Sequence, residues 1–225
     1  MMASPRGRGT ISSGQLAIIV LVAICVIIEV LLQLGDAGLI GPPRFRNLVY
    51  EYGGFWTGLL KNWGPNYPAQ PWLMFVTYGF LHAGLLHLGL NMLTLVSLAL
   101  PVADRVGGRS LVLIYCASIL GGGLGFALLS DSFRPMVGAS GALFGLAGAL
   151  LAWEYVDRFT LQKRLWPVAR AILLLALLNV ALYYVMDGLA WEAHLGGFIM
   201  GWIMALLVDP RGRANPTDAP ETETK

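Results

Sequence analysis

The chain alternates between long apolar runs and short polar connections. Six runs stand out, at about 16–34, 73–100, 110–129, 140–156, 167–186 and 193–208. A helix needs about 20 predominantly apolar residues to cross a bilayer, and these runs reach or approach that length. The pattern therefore predicts an all-α polytopic membrane bundle of six transmembrane helices.

Composition supports this prediction and narrows the function classes. Hydrophobic residues make up 56% of the chain and charged residues 12%, whereas soluble domains carry about 25% charged residues. A net charge of +2, with basic residues scattered along the chain, argues against a nucleic-acid partner. Cys25 and Cys116 lie inside apolar runs without metal-ligand spacing, so no metal or other cofactor is expected.

The apolar runs divide the chain into three parts. A membrane domain over 15–208 follows a small basic segment, 1–14, and precedes a tail, 209–225, that is predicted to be disordered because it lacks apolar residues. The first apolar run is longer than the 7 to 15 residues that are typical of a signal peptide. Between the first two runs, the segment 36–71 is rich in Gly, Pro and aromatic residues, which predicts a long interfacial loop with short helices around 47–60.

The distribution of Lys and Arg predicts the orientation. Eleven basic residues fall on one side of the six-helix arrangement, namely Arg6, Arg8, Arg105, Arg109, Arg158, Lys163, Arg164, Arg170, Arg211, Arg213 and Lys225. The other side holds four, namely Arg44, Arg46, Lys61 and Arg134. Because basic residues are enriched on the cytoplasmic side, both termini are predicted to be cytoplasmic, in a bacterial inner membrane.

Ser140 is the candidate nucleophile. It lies between glycines at the start of the fourth run, in the segment 137–145. A serine hydroxyl reacts only when a base takes its proton. Of the three histidines, His194 begins the sixth run and lies in a similar glycine-rich segment.

Small residues predict how these two side chains could meet. In the fourth run, Gly141, Gly145 and Gly148 recur at helical spacing and form a stripe on one face. In the sixth run, Gly197 and Gly201 form a second stripe on the same face as His194. Small residues let helices approach closely in lipid. A contact between the two stripes would bring the imidazole near Ser140. In isolation, such a stripe is more typical of simple helix packing than of an active site.

Two polar residues of the second run are candidates for an oxyanion hole. His87 and Asn91 are four residues apart and share one face of a helix. With the backbone N–H of Ser140, they could stabilise the charge that develops on a carbonyl oxygen during acyl transfer. They could equally be hydrogen-bonding partners between helices, while His82 is predicted to support the first outer loop. Glu29 could face protein, reach the interface or be protonated.

Taken together, these motifs resemble those of the rhomboid family of intramembrane serine proteases. The resemblance rests on Gly138-Ala139-Ser140-Gly141, on His194 followed by Gly197 and Gly201, and on His82, His87 and Asn91, in this order on successive runs. It implies a Ser140–His194 dyad that cleaves transmembrane segments of other membrane proteins near their outer ends. It also implies a lateral gate near the fifth helix and a cap from the loop 187–191.

Two positions depart from the family pattern. Many members carry Tyr four residues after the serine, stacked beneath the histidine, where this chain has Phe144. A Trp-Arg pair that is common in the first outer loop is absent, because Trp72 is followed by Leu73. Phe144 can keep the stacking and lacks the hydroxyl.

Two other function classes were weighed against a protease. A non-catalytic rhomboid-like protein would bind membrane clients without cleaving them, and it would be expected to lack Ser140 or His194. A small transporter or channel would more naturally carry paired intramembrane charges or an internal repeat. The sequence favours the protease, with the lipid bilayer and transmembrane substrates as partners, and leaves the oligomeric state open.

Overall fold

The computed structural model of the chain describes residues 11–185 and 188–209. In this part the chain forms seven α-helices: α1 (Ser13–Asp36), α2 (Phe45–Gly53), α3 (Gln70–Thr77), α4 (Leu85–Leu129), α5 (Ser140–Thr160), α6 (Trp166–Val185) and α7 (Trp191–Val208). Two 3-10 turns, Thr57–Leu60 and Tyr78–Phe80, complete the regular structure. The all-α prediction is confirmed for these residues. Asp187, most of the N-terminal segment and nearly all of the predicted tail lie outside them.

Four of the described helices are long and apolar enough to cross a membrane. They are α1, α4, α6 and α7. The fourth predicted run corresponds to α5, which has 21 residues and is not among the four. The second and third runs fall within α4, which is 45 residues long.

A break at Gly107 divides α4 into two halves, 85–106 and 108–129. Its φ of 78° and ψ of 170° are not helical, and glycine reaches this positive φ without strain. The first half begins beside Gly138 and the second half ends near the start of α7, so the halves run in opposite directions.

The predicted polar turn at 101–108 is therefore wrong in extent, because the helix continues through Pro101 and breaks only at Gly107. Proline removes one helical hydrogen bond. Packing keeps the segment helical nonetheless, since Val102 is fully buried and Ala103 lies against Gly14 of α1.

The second predicted run is not one continuous helix. It begins as α3, passes through the turn Tyr78–Phe80 and becomes helical again only at Leu85. Gly84, with a φ of 98°, marks the restart. His82 consequently precedes the helix that carries His87 and Asn91.

The fourth helix extends beyond its predicted end. It was expected to end near residue 156, and α5 continues to Thr160. An i, i+4 ion pair between Glu154 and Arg158 supports the additional turn. The charged connection to α6 is shorter as a result, and α6 carries Pro167 in its first turn, where proline is tolerated.

Glycines allow α5 and α7 to approach each other at backbone contact. A β-carbon on Gly197 would overlap the carbonyl of Gly141, and one on Gly201 would overlap the carbonyl of Gly145. The second half of α4 approaches α7 in the same way, with Gly125 against Gly196. Side chains at these positions would force the helices apart.

An ion pair joins α1 to the connection that follows it. Glu29 is fully buried, and both of its oxygens accept hydrogen bonds from Arg46 of α2, at 2.8 and 3.0 Å. Arg46 also donates to Asp36, at 2.6 Å. Of the three possibilities for Glu29, the structure selects the one in which it faces protein.

Candidate active site

Ser140 is the first residue of α5, and an extended approach segment fixes its position. Met136 pairs with Phe55 in an antiparallel bridge, and the N–H of Gly138 donates to the carbonyl of Tyr78 at 3.0 Å. Gly138 has a φ of 134°, which is accessible to glycine and strained for other residues. The turn at Gly138 leads directly into the N-terminus of α5. The first N–H groups of a helix lack partners within the helix.

His194 lies within hydrogen-bonding distance of this serine. The distance from His194 Nε2 to Ser140 Oγ is 2.8 Å, and the histidine side chain is buried. Phe144, one turn along α5, lies parallel to the imidazole with ring centroids 4.2 Å apart. The glycine contacts between α5 and α7 bring these three side chains together.

Asn179 of α6 makes a contact with His194 that the sequence motifs did not predict. Its Oδ1 lies 2.7 Å from His194 Nδ1. The available signal was a lone amide in an otherwise apolar stretch of helix, because a polar group in lipid is costly without a partner. The imidazole of His194 therefore has a polar contact at each ring nitrogen and an aromatic contact on one ring face.

His87 faces the serine from the first half of α4. Its Nδ1 accepts a hydrogen bond from the N–H of Ala83 at 3.1 Å, which leaves Nε2 to carry the proton of the neutral ring. A β-carbon on Gly138 would lie 3.1 Å from that Nε2 and 3.8 Å from Ser140 Oγ. The donor of His87 and the serine oxygen therefore border the same small space.

Asn91, the second side chain predicted for the oxyanion hole, does not line the cleft, unlike His87. It is buried, and its Nδ2 donates to the carbonyl of His87 at 2.8 Å. Its Oδ1 has no hydrogen-bond partner among the residues that the structure describes. Of the two predicted oxyanion side chains, the structure places His87 at the cleft, and it places Asn91 one turn deeper, against the backbone of His87.

The backbone just before α4 is held by two side chains of α2. The carbonyl of His82 accepts hydrogen bonds from Tyr50, at 2.6 Å, and from Arg46, at 3.0 Å. Burial raises the pKa of Tyr50, which keeps its hydroxyl protonated as a donor. The ring of His82 is fully buried and lies edge-on to His87, with centroids 5.3 Å apart. His82 supports His87 at the start of α4.

These side chains line a cleft of about 810 Å³. Its wall includes the predicted site residues Ser140, His194 and His87 and the residues 136–138 that lead into α5. It also includes the polar residues Ser130, Ser132, Arg134 and Glu192. Tyr183 and Tyr184 border it from α6. The volume of the cleft lies within the range of about 300–1,000 Å³ that is typical of ligand-binding clefts in proteins.

The family model of the Rhomboid domain matches residues 69–211, which is well over half of the chain. The chain belongs to the rhomboid family. The resemblance inferred from the three motifs is thereby confirmed. Family membership and the apolar helices together make this rhomboid an integral, multi-pass membrane protein.

Curated relatives come from plants, bacteria and mammals. RHOMBOID-like protein 5 of Arabidopsis thaliana is 35% identical over 148 residues, 63% of this chain and 46% of that protein. RHOMBOID-like protein 2 of the same plant is 33% identical over 192 residues, covering 82% and 53%. Rhomboid protease GluP of Bacillus subtilis (strain 168) is 31% identical over 134 residues, covering 60% and 25%. This rhomboid thus spans about half, or less, of the length of these relatives.

Proposed function

We propose that this rhomboid is an intramembrane serine endopeptidase in which Ser140 is the nucleophile and His194 the general base and acid. The observation that carries the proposal is the 2.8 Å contact between Ser140 Oγ and His194 Nε2, at a helix N-terminus that borders a cleft. The name of the relative GluP, a rhomboid protease, supports the same reaction class.

The first half of the reaction forms an ester. His194 Nε2 takes the hydroxyl proton as Ser140 Oγ bonds to the carbonyl carbon of the scissile peptide. The carbonyl oxygen becomes an oxyanion, and we expect the N–H of Ser140 and the Nε2–H of His87 to stabilise it. When the intermediate collapses, the C–N bond breaks and the proton on His194 passes to the leaving amine.

The second half of the reaction releases the acyl group. Water attacks the ester carbon, and His194 takes one of its protons. The ester C–O bond then breaks, the proton returns to Ser140 Oγ, and a new carboxyl terminus leaves. The polar residues of the cleft, including Ser130, Ser132 and Arg134, support the entry of this water.

The proposed substrates are transmembrane segments of other membrane proteins, cut near their outer ends. In this proposal the chain crosses the membrane six times, through the two halves of α4 and through α1, α5, α6 and α7. With both termini cytoplasmic in a bacterial inner membrane, Ser140 and His194 fall in the outer half. The excess of Lys and Arg on the opposite side of the chain supports this orientation.

The test uses the full chain, purified in detergent micelles, with a model transmembrane substrate whose cut site is mapped by mass spectrometry. A fluorophosphonate probe reports the reactivity of Ser140 independently of substrate. We expect cleavage and labelling by the wild type, loss of both in Ser140→Ala, and strong reduction in His194→Ala. Ser97→Ala is the matched control, because Ser97 is an exposed serine that bonds within its own helix.

Two outcomes contradict the proposal. Labelling that persists unchanged in Ser140→Ala excludes this serine as the nucleophile. Binding of the substrate without cleavage, together with an absence of labelling in the wild type, favours the alternative of a non-catalytic, client-binding rhomboid.

A further inference from the structure

Asn179 occupies an unusual position on α6. Besides Ala171, the residues of this helix that are at least partly buried form a stripe at a spacing of four and three, namely Val168, Ile172, Leu175, Asn179 and Leu182. Asn179 is the only polar member of this stripe. An amide on a membrane helix requires a partner, and the side chain of Asn179 finds one in the imidazole of His194.

The chemistry of this contact selects one tautomer of the histidine. The amide Oδ1 can only accept a hydrogen bond, so the Nδ1 of His194 must be the donor across their 2.7 Å contact. A neutral imidazole carries one proton, which leaves a lone pair on Nε2. That lone pair faces Ser140 Oγ at 2.8 Å, as a base requires.

We propose that Asn179 is a positioning residue that holds His194 in the tautomer and ring orientation needed to deprotonate Ser140. This inference rests on the proposed function and adds a third group, contributed by a different helix, to the predicted dyad. A neutral amide in this place orients the ring without adding a buried charge. Phe144 restrains the plane of the imidazole, and Asn179 fixes its rotation within that plane.

The helix that carries Asn179 is the most loosely held of those that form the site. Val168 is the only fully buried residue among the twenty of α6, all of which the structure describes. Displacement of α6, for example to admit a transmembrane segment, would withdraw the acceptor from His194. Asn179 then orients the imidazole only while α6 lies against α7, which links the position of this helix to the orientation of His194.

The test combines kinetics with a direct measurement of the tautomer. The chain has three histidines, so nitrogen-15 labelling of histidine gives an NMR spectrum in detergent with the signals of three imidazole rings. Each ring is assigned by replacing one histidine and observing which signals disappear. We expect the wild-type spectrum to show His194 protonated on Nδ1. Asn179→Leu, which keeps the volume and removes the acceptor, should shift that ring toward the other tautomer.

The kinetic effects distinguish positioning from packing. Asn179→Leu should lower kcat by about 10- to 100-fold, because a small misplacement of a reacting group has an effect of this order, while KM stays close to the wild-type value. Asn179→Asp keeps an acceptor and should retain protonation on Nδ1 and at least about tenfold more activity than Asn179→Leu. Leu175→Ala is the matched control, since it loosens the same face of α6 without touching the imidazole and should leave the tautomer unchanged.

Retention of the Nδ1–H tautomer and of kcat in Asn179→Leu overturns this inference and leaves Ser140-dependent cleavage standing. An equal loss of kcat in Leu175→Ala, with the tautomer unchanged in both variants, also overturns it. Asn179→Ala, with a smaller side chain, answers the same question if Asn179→Leu does not fold. If the wild type neither cleaves nor reacts with the probe, the proposed function fails, and the spectrum still reports whether Asn179 sets the tautomer.

Discussion

The ring of Phe144 lies parallel to the imidazole of His194, with an angle of 5° between their planes and 4.2 Å between their centroids. Phe144 belongs to α5 and His194 to α7, so the stack exists only because glycines let these two helices touch. It covers one face of the imidazole and restrains its tilt.

Replacement of Phe144 by leucine should reduce catalysis without abolishing it. An aromatic pair contributes about 0.5–1.5 kcal/mol beyond its burial, which corresponds to about a two- to tenfold decrease in kcat. Phe144→Tyr keeps the ring and should stay within about twofold of the wild type on the same scale. Steady-state cleavage of a transmembrane substrate measures both. An unchanged kcat in Phe144→Leu would mean that the stack has no part in positioning the base.

His87 and Asn91 should differ in their effects on catalysis. His87 lines the cleft, whereas the amide of Asn91 donates to the carbonyl of His87. Loss of one oxyanion donor lowers the rate by about 10²- to 10³-fold, so His87→Ala should lose about this much kcat. Asn91→Ala, which acts through the backbone of His87, should lose less. Equal losses, or a larger loss in Asn91→Ala, would contradict the arrangement described.

Addition of a methyl group at Gly201 should separate α5 from α7. Its β-carbon would overlap the carbonyl of Gly145, and overpacking of a close interface costs about 1–3 kcal/mol. We expect Gly201→Ala to unfold at a lower temperature in micelles and to lose labelling of Ser140. Gly89→Ala is the control, because no described atom beyond the adjacent residues and the nearby backbone of its own helix lies within 4 Å of its β-carbon position. Equal stability of the two variants would argue against the close contact.

Removal of Arg46 should destabilise the protein more than removal of both members of its ion pair. Burial alone would lower the pKa of Arg46, but hydrogen bonds to Glu29, Tyr50 and Asp36 raise it, so the guanidinium stays charged. Arg46→Met leaves the fully buried Glu29 carboxylate without its partner, which costs about 3–5 kcal/mol of unfolding free energy. Arg46→Met combined with Glu29→Leu should recover part of this loss. A thermodynamic cycle of the single and double variants measures the coupling, and simple additivity would contradict the prediction.

The proposed orientation can be checked with cysteines in a variant in which Cys25 and Cys116 are replaced by alanine. The side chain of Asp131 is 92% exposed, in the connection between α4 and α5 at the end of the bundle that holds Ser140. Asp131→Cys should react with a membrane-impermeant maleimide added to intact cells. Lys163→Cys, in the connection between α5 and α6, should react only after the cells are opened. The reverse pattern would place Ser140 in the inner half of the membrane.

Much of this rhomboid could be predicted from its sequence. Lipid makes polar groups costly, so Ser140, His194, His87 and Asn91 were conspicuous within apolar runs, and the spacing of Gly141, Gly145, Gly197 and Gly201 indicated which helix faces could meet. These signals are local, because hydrophobicity and helical periodicity require no knowledge of the tertiary structure.

The tertiary structure decided what depends on contacts between distant segments. Packing against α1 keeps the helix intact through Pro101 and delays the break to Gly107, and Arg46 settles the environment of Glu29 from a different helix. Asn179 is a similar case, since an isolated amide in an apolar helix has no assigned partner until α6 is placed beside α7. The sequence by itself determined an all-helical membrane protein with a candidate nucleophile and a candidate base. Only the packing of α4, α5, α6 and α7 decided which atoms meet, because hydrogen bonds require distances near 3 Å that no local pattern specifies.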